Sequence, residues 1–320
     1  VNIRVTCAAL LAATSFSSTA QTYPDRPIRM IVAVPAGGTA DVVGRMAQPA
    51  LVKSLGQPVV MDNRGGAGGM IGAETAAKSA PDGYTLFFCA PGPLTVLPHL
   101  QKQVAYDPLK DFAPVGLVAV GPFLLVNFAG DPYRTIKDMI AQAKANPGKI
   151  KYASAGNGSS NHLATEWLKN MAGVDITHVP YRGAPQGVTD VMGGHVSFTF
   201  SSIPPALPHI KTGRLHVLGI SSLKRSPLLP DVPTISEAGI PGYEWATWLG
   251  LLAPAKTPRP ILQKVHASMM SAFNTPEMKS QLEVMGYEII LNSPDEFQNY
   301  IRAEWQKNAK VVKLSGAKVD

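Results

Sequence analysis

Four short stretches rich in glycine and other small residues lie where apolar runs give way to helical patterns. They are 35–41 (PAGGTAD), 63–69 (NRGGAGG), 155–162 (AGNGSSNH) and 181–185 (YRGAP). The first amides of a helix have no acceptor within the helix and carry partial positive charge. Glycine lets a ligand approach such backbone closely. The chemistry on offer is capture of a small anion by main-chain donors. One such loop alone reads more readily as an ordinary tight turn, so the signal is its recurrence.

Side chains suited to bond chemistry are sparse around these loops. His162 and Glu166 stand four apart on an expected helix, with no third ligand at a recognisable spacing, so they read as a packing or surface pair and no metal site is expected. Asp41 and Arg45 have the spacing of a helix-face ion pair. The stretch GGAGGMIG resembles a dinucleotide fingerprint, but Ile71 occupies a position that needs glycine, and the strand after it ends without an acidic residue for a ribose. GNGSSNH lacks the G-x-S-x-G order of a nucleophile elbow. A hydrolase needs a nucleophile, a base and an orienting group in mutual reach, and no recognisable set is present.

The elements that must position these loops alternate along the chain. Strand-like runs are expected at 28–34, 58–62, 84–90, 115–119, 123–128, 150–154, 176–180, 196–200, 215–221, 245–253 and 287–291, with helical patterns between most of them. Such βα alternation predicts an α/β fold with largely parallel sheets. Capping boxes are expected at Thr135/Asp138 and Ser293/Glu296, and Thr275 caps a helix that begins at Pro276. Val42, Val43, Met46, Ala47, Ala50, Leu51 and Leu55 share one helix face, which Pro49 is expected to kink or cut short.

Bulk properties narrow the class. A chain of 320 residues is about right for two domains. With 45% hydrophobic and 16% charged residues it is globular in composition. The net charge of +7 is diffuse and contains no dense Lys/Arg run, which argues against a nucleic-acid partner. Residues 1–20 read as a secretory signal: Arg4 precedes an apolar run too short to span a bilayer, and Ser18, Thr19 and Ala20 are small residues at a cleavage site. Cys7 falls inside this segment without the context of a lipid-modified cysteine. The exported chain would keep only Cys89, so no internal disulfide is expected.

Longer stretches carry a specific resemblance. YPDRPIRMIVAVPAGGTADVVGR, GQPVVMDNRGGAGGMIGAETAAKSAPDGYTL, NPGKIKYASAGNGSSNHLATEWL, ITHVPYRGAPQGVTDVMGGHV, LLPDVPTISEAGIPGYE and WLGLLAPAKTP follow one another over nearly all of the chain after the signal segment. Together they resemble the TctC/Bug solute receptors of the tripartite tricarboxylate transporters. That resemblance implies a type II-like two-lobe periplasmic binding protein, with two α/β domains joined by two crossing strands near VGPFLLV and TWLGLLAP. On that template, domain 1 is about 21–122 plus 249–320 and domain 2 is about 123–248. It implies a monomeric, non-enzymatic periplasmic receptor without cofactor or metal, which closes on a small carboxylate and delivers it to membrane transporter subunits. A sensor that docks on a signalling partner would share the same ligand site, so the sequence does not separate these roles.

The resemblance also implies a site. Pro35, Ala36, Gly37, Gly38, Thr39 and Asp41 form the jaw of domain 1. Asn157, Gly158, Ser159, Ser160 and His162, with Tyr181, Arg182 and Gly183, form that of domain 2. Ser201 and Ser202 line the floor. Three departures bear on the ligand. Val34 replaces the family's usual aromatic residue and opens one wall. Ala90 and Pro91 stand in a loop that usually carries Ser/Thr and His or Asn. Arg182 stands where lysine is common, as a charge at the rim.

Overall fold

The run IRMIV, in which Ile28, Met30, Ile31 and Val32 are buried, forms a strand covered on both faces, as a continuous apolar run requires. The structure is a computed structural model describing residues 23–101, 103–181 and 184–315; the expected signal segment, Arg182 and Gly183 lie outside these residues. In chain order the elements are β1 (Ile28–Val32), α1 (Thr39–Leu55), β2 (Val59–Asn63), α2 (Met70–Ala77), β3 (Thr85–Cys89), a π-helical turn (Gly92–Val96) and α3 (Leu97–Leu100). There follow β4 (Phe112–Pro122), β5 (Leu124–Phe128), α4 (Ile136–Ala145), β6 (Lys151–Ser154), α5 (Ser160–Ala172), β7 (Thr177–Pro180), α6 (Ala184–Met192), β8 (Phe198–Ser201) and α7 (Ile203–Lys211). The chain ends with β9 (Leu215–Ile220), α8 (Ile235–Ala238), β10 (Ala246–Pro254), α9 (Arg259–Phe273), α10 (Pro276–Val284), β11 (Glu288–Ile289) and α11 (Pro294–Ser315). Each of the apolar runs expected to be a strand overlaps one, with β4 extending well beyond its expected run of 115–119 at both ends.

The strands form two sheets, ordered β11-β4-β10-β3-β1-β2 and β7-β6-β8-β5-β9. The expectation of largely parallel sheets is corrected here. β1 pairs in parallel with β2 and β3, and β6 with β7 and β8, but every pairing made by β4, β5, β10 and β11 is antiparallel. The cause is the crossing between lobes. β4 leaves the first sheet at Pro122 and β5 enters the second at Leu124, while β10 returns, so outgoing and returning strands that lie side by side must oppose each other.

That geometry decides where the loops face. β3 and β4 both run opposite to β10, so the carboxyl ends of β1, β2 and β3 lie at the same end of the first sheet as Pro122, towards the second lobe. In the second sheet Leu124, the first residue of β5, pairs with Ser201, the last of β8. β6 and β7 run with β8, so their carboxyl ends face the first lobe. The loops after β1, β3, β6, β7 and β8 therefore open on one cleft, the position at which ligands collect in α/β sheets.

Pro49 does not end α1, contrary to the sequence expectation. The helix runs unbroken to Leu55 and stops at Gly56, whose φ is +73°. Val43, Ala47, Leu51 and Leu55 are buried on one face, and this apolar packing outweighs the lost hydrogen bond. The expected caps form: Thr135 and Asp138 bond reciprocally, Ser293 and Glu296 do likewise, and Thr275 accepts from the Met278 amide. Helix α11 packs on both β4 and α5. Its Ile301, Val311 and Val312 join one apolar cluster with Leu163 and Leu168 of α5 and with Trp248, whose ring meets Phe297 and Tyr300 edge-on.

Candidate functional site

The first jaw is the bend between β1 and α1. Pro35, Ala36, Gly37 and Thr39 are exposed, and Val34 is half-buried beside them. Gly37 takes φ +83°, which strains residues with a Cβ. Gly38, the N-cap, has φ −68° and ψ 158°, open to any residue, but a Cβ there would lie 2.9 Å from Val34 Cγ2 and 3.2 Å from the Pro35 carbonyl oxygen. Glycine is needed at one position for its dihedral and at the next for space.

The bend is held from beneath by Asp41, whose side chain is 3% exposed. Its Oδ2 accepts the Gly37 amide at 2.8 Å, and its Oδ1 accepts Arg45 Nε and Asn63 Nδ2, each at 2.9 Å. Asn63 in turn donates to the Val34 carbonyl at 3.1 Å. Burial works to raise the Asp41 pKa, and the bonds from Arg45, Gly37 and Asn63 more than offset it, so the carboxyl stays below the usual range. The sequence reading of a simple helix-face pair therefore understates Asp41, which also clamps the loop through the Gly37 amide and Asn63.

The 63–69 stretch has a packing role. A Cβ on Gly65 would lie 2.9 Å from the Pro35 nitrogen, and one on Gly69 would lie 2.8 Å from the Ala33 carbonyl oxygen. These glycines admit the first jaw against their own backbone. Ala90 is half-buried and Pro91 buried at the start of the π-helical turn, where Thr95 Oγ1 donates to the Pro91 carbonyl at 3.2 Å.

The second jaw repeats the design. Asn157 is exposed, Gly158 is buried with φ +74°, and Ser159 is the N-cap of α5 with φ −68° and ψ 154°. The Ser159 hydroxyl does not cap the helix; it donates backwards to the Gly156 carbonyl at 2.6 Å. His162, 4% exposed, accepts the Gly158 amide through Nδ1 at 3.0 Å. Its ring stacks on His178 with centroids 4.1 Å apart, and His178 stacks on Tyr152 at 4.8 Å. Glu166, one turn further along α5, accepts from Tyr152 Oη at 2.6 Å and Lys169 Nζ at 2.9 Å. Burial, then the charge of Lys169, pushes the His162 pKa down to about 4, so the ring is neutral at pH 7.

Neither α1 nor α5 has a side-chain hydrogen bond from its N-cap residue. Both helices thus present first-turn amides and the positive end of their dipoles to the cleft. Ser201 and Ser202 follow β8, with Ser202 the N-cap of α7 and the Ser201 hydroxyl donating to the Ser202 carbonyl at 3.0 Å. Tyr181 extends from β7, and its hydroxyl donates to Asp190 at 2.5 Å. Among the described residues no group of His, Cys, Asp and Glu could hold a metal ion.

Two α/β lobes joined by crossing strands, with glycine-rich helix starts facing one cleft, define a two-lobe solute-binding receptor. The chain belongs to the family whose model is described as tripartite tricarboxylate transporter family receptor, which matches residues 43–316. It is 38% identical over 301 residues to the protein BugT of Bordetella pertussis, covering 94% of this chain and 92% of BugT. Among solved structures it resembles R. palustris Rpa4515 with adipate, at 34% identity and TM-score 0.83, covering 92% of this chain and 99% of that one. It also resembles MatC from Rhodopseudomonas palustris with bound malate, at 31% identity and TM-score 0.79, covering 91% of this chain and 100% of that one.

Proposed function

We propose that the chain captures a small organic carboxylate between its lobes, using main-chain amides of the two helix starts. The observation that carries this reading is the matched pair of uncapped helix N-termini, those of α1 and α5, facing one cleft. Adipate and malate, bound by two relatives of the same family, support the ligand class. Residues 34–39, 90–91, 157–160, 181–183 and 201–202 line the site in this reading. Asp41 and His162 support it from below. Domain 1 comprises about 21–122 and 249–320, and domain 2 about 123–248. The mature protein is a periplasmic monomer that hands its ligand to membrane subunits of a tripartite tricarboxylate transporter and leaves it chemically unchanged. A separate membrane partner fits a chain whose described helices include none long and apolar enough to cross a bilayer.

A thermal-shift screen with malate, adipate, citrate and neutral sugars tests this. A ligand that binds only the folded state raises the apparent stability by mass action. At least one acid should raise Tm, no sugar should, and mass spectrometry should recover the acid intact. Turnover of a bound acid would remove the receptor reading.

A further inference from the structure

The two jaws share a backbone plan that their sequences, PAGGTADV and GNGSSNHL, do not announce. In each, a glycine with positive φ precedes the N-cap: Gly37 at +83° and Gly158 at +74°. In each, the N-cap amide donates three residues back, Gly38 to the Pro35 carbonyl at 3.1 Å and Ser159 to the Gly156 carbonyl at 3.2 Å. The third helical residue then reaches back to the glycine amide, Asp41 to Gly37 at 2.8 Å and His162 to Gly158 at 3.0 Å. In an ordinary capping box, as at Thr135 and Asp138, that third residue bonds the N-cap amide instead.

We propose that His162 is the positioning residue of the second jaw: through an unprotonated Nδ1 it fixes Gly158, which sets the first-turn amides of α5 towards the ligand carboxylate, as Asp41 does through Gly37 in the first. This rests on the carboxylate reading above. The bond fixes the ring's chemistry, because only the neutral tautomer with its proton on Nε2 leaves Nδ1 free to accept. The surroundings hold that state. His178 of β7 stacks on one face of the ring, Tyr152 of β6 lies beyond it, and Glu166 and Lys169 lie further along α5, paired with each other. Protonation of His162 removes the acceptor and frees Gly158. Asp41 clamps the first jaw as a carboxylate instead, with its hydrogen bonds from Arg45, Gly37 and Asn63 holding its pKa below the ordinary range against the opposing effect of burial. The second jaw is therefore the one whose clamp requires a neutral imidazole.

The test uses the mature protein with malate and adipate as probes. His162→Asn keeps an acceptor one bond from Cγ, as Nδ1 is, and does not titrate. His162→Gln moves the acceptor one methylene out. His162→Phe keeps a ring for stacking and has no acceptor. Exchange of the Gly158 amide, followed by NMR without ligand, should be slow in the wild type and the Asn variant. At pH 7 it should be at least about tenfold faster in the Gln and Phe variants, and in the wild type the protection of this amide, taken relative to the intrinsic exchange rate at each pH, should drop as pH falls through about 4. Affinity measured by calorimetry at pH 7 should survive in Asn and fall about tenfold in Gln and Phe. The ratio of wild-type to Asn affinity across pH removes the ligand's own titration and should fall below pH 5. A Phe variant that binds like wild type, or a Gly158 amide that exchanges alike in all four proteins, would overturn the proposal. If Phe fails to fold, the Asn and Gln comparison decides. If the wild type binds neither acid at pH 7, the carboxylate reading fails, and the ligand-free Gly158 measurement still decides the clamp.

Discussion

The amide of Gly37 donates to Asp41 Oδ2 at 2.8 Å, tying the bend after β1 to the first turn of α1. Asp41→Ala removes this acceptor together with those used by Arg45 and Asn63. Arg45 is half-exposed and can return to water, so the cost comes mainly from the two remaining donors, about 1–3 kcal/mol. Urea unfolding should show that loss with an unchanged slope. The sign with pH follows from the depressed pKa: this contribution is present above the ordinary carboxylate range and is lost as pH falls through the folded-state value. Asp41→Ala should accordingly lose less stability than the wild type on acidification.

The neighbouring glycines should fail for different reasons. Gly37→Ala places a Cβ in open space but at φ +83°, at a cost of about 1–2 kcal/mol in stability. Gly38→Val has an ordinary φ but drives its side chain against Val34 and Pro35, reshaping the jaw. Unfolding curves run beside calorimetry should show Gly37→Ala losing stability and Gly38→Val losing affinity. Unchanged affinity in a folded Gly38→Val protein would remove this bend from the site.

Ser159→Asp separates a structural from a ligand-facing helix start. Aspartate cannot donate to the Gly156 carbonyl as the serine does, but it can cap α5 and suits the helix dipole, so stability should change by less than about 1 kcal/mol. A carboxylate ligand about 4 Å from the new charge meets roughly 4 kcal/mol of repulsion at an effective dielectric near 20, on the order of a thousandfold in affinity. Near-normal affinity would return Ser159 to a purely structural role.

Part of the local geometry was legible in the residues. Glycine and small-residue loops after apolar runs marked the bends that open α1 and α5, and the Thr135, Ser293 and Thr275 caps follow from local hydrogen-bond chemistry that needs no tertiary context. Strand direction was not legible, because β4, β5 and β10 owe their antiparallel pairing to the crossing between lobes. Pro49 misled for a similar reason, since the buried face of α1 overrides local preference. Asp41 and His162 were picked out in the sequence, yet their backward bonds to Gly37 and Gly158 depend on glycine dihedrals that residue types alone do not reveal.

Stability should also fall on mild acidification. His162 and His178 both have pKa values pushed down to about 4, chiefly by burial. Between about pH 6.5 and 4 the unfolded chain binds more protons at these sites than the folded one, so this stability is present above about pH 6.5 and is lost as pH falls towards 4. Each unit of depression corresponds to about 1.4 kcal/mol. Urea midpoints measured across this range should drop in the wild type and drop less in His162→Asn.

The most direct test of carboxylate capture compares an acid that binds with its neutral methyl ester by calorimetry at pH 7. Backbone amides and helix dipoles recognise the charge, so the acid should bind and the ester should bind at least about a hundredfold more weakly. Equal affinities for acid and ester would contradict a site built to hold an anion.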